Sequence, residues 1–137
     1  MSEARGYGVT VLRVTLGGIF LMHGYLGGFV FTPEGLTQFN AKVGVPLPQL
    51  AAWFVILGHF VGGAFLLLGV FTRIGALIHV IIMAGAVLFV HIGQGFFLHG
   101  LEQGRYGGYE YALVLLLASV AILLLGGGPF AFDDWRR

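Results

Sequence analysis

The chain reads as an all-α membrane protein: an antiparallel four-helix transmembrane bundle with a short interfacial helix between spans one and two. Two observations predict it. Of 137 residues, 58% are hydrophobic and only 9% are charged, whereas a soluble domain carries about 25% charged residues to solvate its surface. Apolar runs also recur four times at about the 20-residue length that crosses roughly 30 Å of hydrocarbon. The mean hydropathy of +0.93 agrees. Soluble and disordered classes are excluded. A net charge of +1 supplies no basic field for nucleic acid. With no Cys, disulfides, thiolate metal sites, Cys-attached haem and Cys redox chemistry are excluded too.

The spans fall at 8–30, 49–70, 74–92 and 109–125, so residues 1–137 form a single transmembrane domain. The first run is interrupted by Arg13 and His23 and lacks a small-x-small cleavage site, which reads as a retained span rather than a signal peptide. After it, Thr32-Pro33-Glu34 supplies a cap, a first-turn proline and an acid in the order that starts a helix. Leu36, Phe39 and Val43 then share one side and Glu34, Gln38 and Lys42 another, an amphipathic interfacial helix that ends at Gly44 and Pro46. Spans two and three are joined by Gly69-Val70-Phe71-Thr72-Arg73, a tight hairpin. The link 93–108 carries six glycines and the pair Phe96-Phe97, so irregular backbone is expected there. Tyr106, Tyr109, Tyr111 and Trp135 suit the two interfacial belts.

Arg5, Arg13, Arg73, Arg136 and Arg137 lie on the side of the termini, against Lys42 and Arg105 opposite. The positive-inside rule therefore places both termini in the cytoplasm. Within the spans, Gly24 and Gly28 on the first and Gly58 and Gly62 on the second have the small-xxx-small spacing that lets helices approach, and these faces are the expected oligomer contacts.

Ionisable side chains at bilayer depth cost a few kcal/mol each and face the interior. Here they are Arg13, His23, His59, His79, His91 and Glu110. Counting along the spans puts Arg13 and His79 toward the cytoplasmic side, His59 near the middle, and His23, His91 and Glu110 toward the outer side, next to His99 and Glu102. Paired histidines on facing helices suit haem, but no pair has diagnostic spacing. A neutral histidine instead suits hydrogen bonding to a quinone while neighbours move protons, and each ring also has a purely structural reading. The catalytic set read from this is His23, His91 and Glu110, and the cofactor-binding set His23, His59, His91 and Arg13, with no metal site. Glu110 has a bland alternative, a carboxylate favoured by the helix dipole. Arg13 has two, snorkelling to headgroups and holding an internal anion. No Walker loop, dinucleotide fingerprint or metalloprotease histidine pair is present.

Leu12-Arg13 leading into Gly17-Gly18-Ile19-Phe20-Leu21-Met22-His23-Gly24 resembles the first span of the DoxX family of small four-helix bacterial membrane proteins. So do Gly62-Gly63-Ala64-Phe65-Leu66-Leu67-Leu68-Gly69 with Thr72-Arg73, His91 with Gly95-Phe96-Phe97, Tyr109-Glu110, and Gly126-Gly127-Gly128-Pro129 with Asp133. In one place the chain departs: the family commonly has a Glu just before the second-span glycine pair, where this chain has His59. The resemblance implies a redox-associated subunit of the cytoplasmic membrane, with links to thiosulfate:quinone oxidoreductase, to oxidoreductase complexes and to terminal-oxidase operons.

The expected function is a membrane subunit of a redox system, in contact with quinone or an oxidoreductase partner through the His/Glu site in the outer half. The expected partners are the bilayer and other redox subunits. A non-catalytic assembly or anchoring subunit is the alternative. A small-solute or proton transporter ranks below both, because the spans show no inverted repeat and no central proline.

Overall fold

The computed structural model of the chain describes residues 3–99 and 107–134. Gly100, Glu102, Gly104, Arg105, Tyr106, Trp135, Arg136 and Arg137, which entered the loop, belt and orientation readings, lie outside the described residues. Five α-helices follow one another: α1 Glu3–Tyr25, α2 Thr32–Lys42, α3 Pro48–Leu68, α4 Thr72–Gly85 and α5 Glu110–Leu125, with no strand among the described residues. α1 runs on into a π-helical segment, Leu26–Val30, and α4 into another, Ala86–His91, followed by a 3₁₀ turn, Ile92–Gln94. With these extensions, three runs are long and apolar enough to cross a membrane: Glu3–Val30 (28 residues), Pro48–Leu68 (21) and Thr72–Gln94 (23). α5 has 16 residues, about 24 Å of helix at 1.5 Å per residue, short of a full hydrocarbon core. The architecture is that of a helical membrane protein.

Local chemistry sets the boundaries. Thr32 leaves the helical region at φ +65°, and its Oγ1 accepts the Gly35 N–H at 3.3 Å, an N-cap bond ahead of Pro33. α3 stops at Gly69, whose φ of +72° lets its N–H and that of Val70 both reach the Phe65 carbonyl, at 2.9 and 3.1 Å. Phe71 follows at φ +48°, a left-handed conformation unusual for a bulky side chain. Two amide bonds to a carboxylate, described below, hold it there.

Glycines set the spacing between helices. α3 packs against both α1 and α4, and its Gly62-Gly63 pair faces one on each side. A Cβ at Gly17 of α1 would stand 2.6 Å from the Leu67 nitrogen, and one at Gly75 of α4 would stand 2.9 Å from the Gly62 carbonyl oxygen. Backbone therefore touches backbone at both seams. Contacts along these seams run in opposite chain directions: Gly17 meets Leu67 while Gly28 meets Ile56, and Gly75 meets Gly62 while Ile82 meets Gly58.

The faces expected to join separate copies are filled from within the chain. A Cβ at Gly24 would lie 3.2 Å from the Phe60 ring, at Gly28 3.4 Å from Ile56, at Gly58 2.7 Å from Ile82 and at Gly62 2.7 Å from His79. Small-xxx-small spacing reports close helices without saying whose they are. Around these seams one apolar cluster includes Leu16, Phe20, Leu66, Ala76, Met83, Leu115 and Ile122. α2 packs on α3, with the Asn40 amide donating to the Pro48 carbonyl at 3.3 Å.

Gly17→Ala should lower stability by about 1–3 kcal/mol, the usual cost of overpacking a tight contact. Gly18→Ala, where an added Cβ meets nothing within 4 Å, should be neutral or slightly stabilising. Thermal unfolding of the two variants in one detergent separates them, and equal midpoints would contradict the seam.

Candidate functional site

Three histidines come together inside the helix core around Phe20. The Phe20 and His79 rings stack at 3.6 Å between centroids with planes 13° apart. His59 lies 5.5 Å from Phe20 and 5.5 Å from His79, also nearly parallel, and His23 stands 5.8 Å beyond His59, tilted by 55°. α1 thus contributes Phe20 and His23, α3 contributes His59 and α4 contributes His79. The glycine seams make this approach feasible, because His79 lies over Gly62, where no side chain stands in the way. His79 is fully buried and His59 is 6% exposed, while His23 is half-buried at the end of the column.

Bonding fixes two of the three tautomers. A carbonyl oxygen only accepts, so His79 Nδ1–H donates to Gly75 at 2.8 Å and His23 Nδ1–H donates to Ile19 at 2.9 Å. The Nε2 of each is then a lone-pair acceptor. His59 has no such bond. Its Nδ1, like His79 Nε2, is buried without a partner.

Depth counted from the sequence had set His79 apart from His59, and the structure puts them side by side. The signal was available in the hairpin: His59 is ten residues before Gly69 and His79 eight after Phe71, so the two lie level across the turn. Phe20, the fully buried ring stacked on His79, has no signature of its own in an apolar run.

His91 and Glu110 are engaged differently. His91 Nδ1–H donates to the Gly107 carbonyl at 2.5 Å, and Glu110 Oε1 accepts the Leu98 N–H at 2.7 Å. Backbone bonds from Gly107 to Leu98, Tyr109 to Gly95 and Glu110 to Phe96 join the same two strips of chain. Phe96 packs edge-on against Tyr109 at 5.3 Å. The two side chains therefore clasp the ends of the loop to α5. None of their bonds goes to the histidine column.

Arg13 lies at the other end, 1% exposed. Its Nε donates to the Gly127 carbonyl at 2.8 Å, and its Nη1 to the Leu66 and Leu67 carbonyls at 2.5 and 2.9 Å. The last carbonyls of a helix lack internal partners, so the guanidinium caps α3 and ties it to the C-terminal segment. That segment is fastened further by Thr10 Oγ1 donating to Pro129 at 2.5 Å, by the Tyr7–Phe130 ring pair at 6.0 Å, and by Arg73 Nη2 donating to Leu124 at 3.1 Å. Asp133 completes the knot. Its carboxylate accepts the N–H groups of Phe71 at 2.9 Å and Thr72 at 2.8 Å, capping α4 and stabilising the left-handed Phe71. A cleft of about 530 Å³ opens beside this knot, with Asp133, Arg73 and Gly127 in its lining.

Burial alone would raise the Asp133 pKa, but the Thr72 and Phe71 amides and the Arg13 charge outweigh it and hold the carboxyl below its ordinary 3.8. The ionised form therefore binds the turn better than the neutral acid. Its stabilisation is complete above the unfolded-chain pKa and is lost as pH falls through the depressed native value. Asp133→Asn should cost about 1–3 kcal/mol at neutral pH, and its melting temperature should fall less on acidification below pH 4 than that of the parent. An unchanged pH slope in the variant would contradict this assignment. Glu110→Ala should speed hydrogen exchange of the Leu98 amide about tenfold or more, with α3 amides unaffected, and a uniform change would contradict a local clasp.

The chain is 31% identical over 135 residues to an uncharacterised protein of Haemophilus influenzae, covering 98% of this chain and 94% of that one. It is 30% identical over 135 residues to a Bacillus subtilis protein named "Putative oxidoreductase CatD", covering 98% and 91%. No solved structure matches significantly. The sequence profile of DoxX matches residues 8–92, a stretch that holds Arg13, the whole histidine column, both glycine seams and His91. The chain belongs to the DoxX family.

Proposed function

We propose that the protein is a redox subunit of the bacterial cytoplasmic membrane, a four-helix antiparallel bundle with cytoplasmic termini that meets quinol at the outer end of its histidine column. The observation that carries this reading is the column itself: three imidazoles grouped in an apolar helix core, one half-buried at the end and two sealed behind it. The fixed tautomer defines the chemistry. With Nδ1–H bonded to Ile19, neutral His23 offers Nε2 as an acceptor, which suits the hydroxyl of a quinol rather than the carbonyl of a quinone. When that quinol is oxidised, one hydroxyl proton passes to His23 Nε2 and the other to water at the membrane surface, and its two electrons pass to an oxidoreductase partner in the same membrane.

His59 stands behind His23 in this reading, and His91 and Glu110 position the loop over the entrance without touching substrate. Arg13 holds the opposite end closed. The name of the Bacillus relative supports redox chemistry, and the short α5 crosses the membrane with the help of the flanking loop residues.

An anchoring role is the second reading, favoured by one specific observation: Arg13, His91 and Glu110 all bond backbone groups of this chain. The two readings differ in a binding experiment. Titration of the purified protein in nanodiscs with a short-chain quinol should show saturable binding, weakened about fivefold in His23→Ala, the worth of one hydrogen bond of about 1 kcal/mol. No saturable binding, with retention of a co-purifying oxidoreductase by both forms, would instead establish the anchor.

A further inference from the structure

Histidine bonding in the column is uneven in a way that contact with quinol leaves unused. His23 and His79 each donate Nδ1–H to the carbonyl four residues earlier in their own helix, whereas His59 Nδ1 has no partner. His79 Nε2 is the second buried nitrogen without one. Native structures rarely leave such groups unsatisfied, and a buried water is their usual partner where two or more polar atoms converge. The two nitrogens belong to neighbouring rings 5.5 Å apart and only 16° from parallel. The two nitrogens do not bond each other directly. A third group placed at both edges can bond the two together. The surroundings limit its size: Phe20 lies 3.6 Å from the His79 ring, and even a Cβ at Gly62 would come within 2.7 Å of His79 Cε1.

We propose that His59 Nδ1 and His79 Nε2 hold one buried water, and that it makes His59 and His79 a two-ring proton store behind His23, closed at the Arg13 end. Transfer within the store balances. A protonated His59 releases its Nδ1 proton to the water oxygen, the water releases one of its own protons to His79 Nε2, and the water is regenerated with the charge moved to His79. Because the Gly75 carbonyl holds His79 Nδ1–H, His79 returns the proton through the nitrogen that received it. It is a terminus and not a link.

The closure has two layers. Leu16, Leu66 and Ala76, each at most 2% exposed, come between the rings and Arg13 along their helices. Arg13 itself adds a fixed positive charge, which opposes passage of a proton. It lies seven residues before Phe20, about 10 Å along α1. Among the described residues, the titratable groups at the store are His23 from α1, His59 from α3 and His79 from α4. α5 has none beyond Glu110 and Tyr111 in its first turn.

This deepens the proposed site and rests on the column lying within the membrane, but not on quinol. The test uses full-length protein with ¹⁵N-labelled histidine in phospholipid nanodiscs, without quinone, and measures magnetisation transfer from water to ring nitrogens by solid-state NMR. Transfer should reach His59 and His79 in the parent. His59→Phe, which preserves the stack on Phe20, should abolish transfer to His79 and move its Nε2 signal to the unbonded range. Proteoliposomes should pass protons no faster than protein-free vesicles. Dry rings in the parent overturn the water, and so does a His79 signal indifferent to His59→Phe. A proton leak overturns the closed end. If the variant fails to fold, the parent measurement decides alone. Quinol binding with dry rings would sink the store and leave the redox reading intact, and wet rings without quinol binding would do the reverse.

Discussion

A guanidinium buried among backbone carbonyls is the interaction on which the rest of this structure depends. An ionised arginine in hydrocarbon is costly unless its donors are met by acceptors. Three carbonyls meet those of Arg13, two from the last turn of α3 and one from the glycine-rich segment after α5. The same bonds relieve helix-end carbonyls that have no partner of their own. Charge and cap satisfy each other, and neither is stable at that depth alone. Because Asp133 in the same segment caps α4, α1, α3, α4 and the chain after α5 are fixed relative to one another at one end.

Position at that end carries through to the rings. α3 is held in register by its capped terminus, and its glycine pair meets Gly17 on one side and Gly75 on the other. Backbone contact at both seams leaves one width for the space above, and Phe20, His59 and His79 fill it as near-parallel plates. At the opposite end, His91 and Glu110 join the loop to α5 through bonds to backbone, beside three backbone bonds between the same two strips of chain.

Much of this was legible in the sequence. Hydropathy identified the solvent and the helices, and Thr32-Pro33 and Gly69 marked real boundaries. What failed were inferences about partners. Gly58 and Gly62 announce close packing, but a sequence does not say that Ile82 and His79 of the same chain are what they meet. Arg13 looked free to snorkel because its acceptors are carbonyls, which every residue has and no motif marks. The partners of Glu110 and His91 are likewise main-chain groups, of Leu98 and Gly107, which no motif marks. Pairing of His59 with His79 was recoverable from the hairpin, by counting outward from the turn rather than inward from the ends of the spans.

The bond between Arg13 and Gly127 spans 114 residues of chain, and this has a consequence for biogenesis. During synthesis Arg13 emerges 114 residues before Gly127, so α1 waits in the membrane with an incomplete set of acceptors while α3, α4 and α5 are made. Until the segment after α5 arrives, α1 depends on water or on the insertion machinery to accommodate its charge. The bundle is therefore locked only once that segment has been translated, and ribosomes that stop short of Gly127 would leave α1 unsecured.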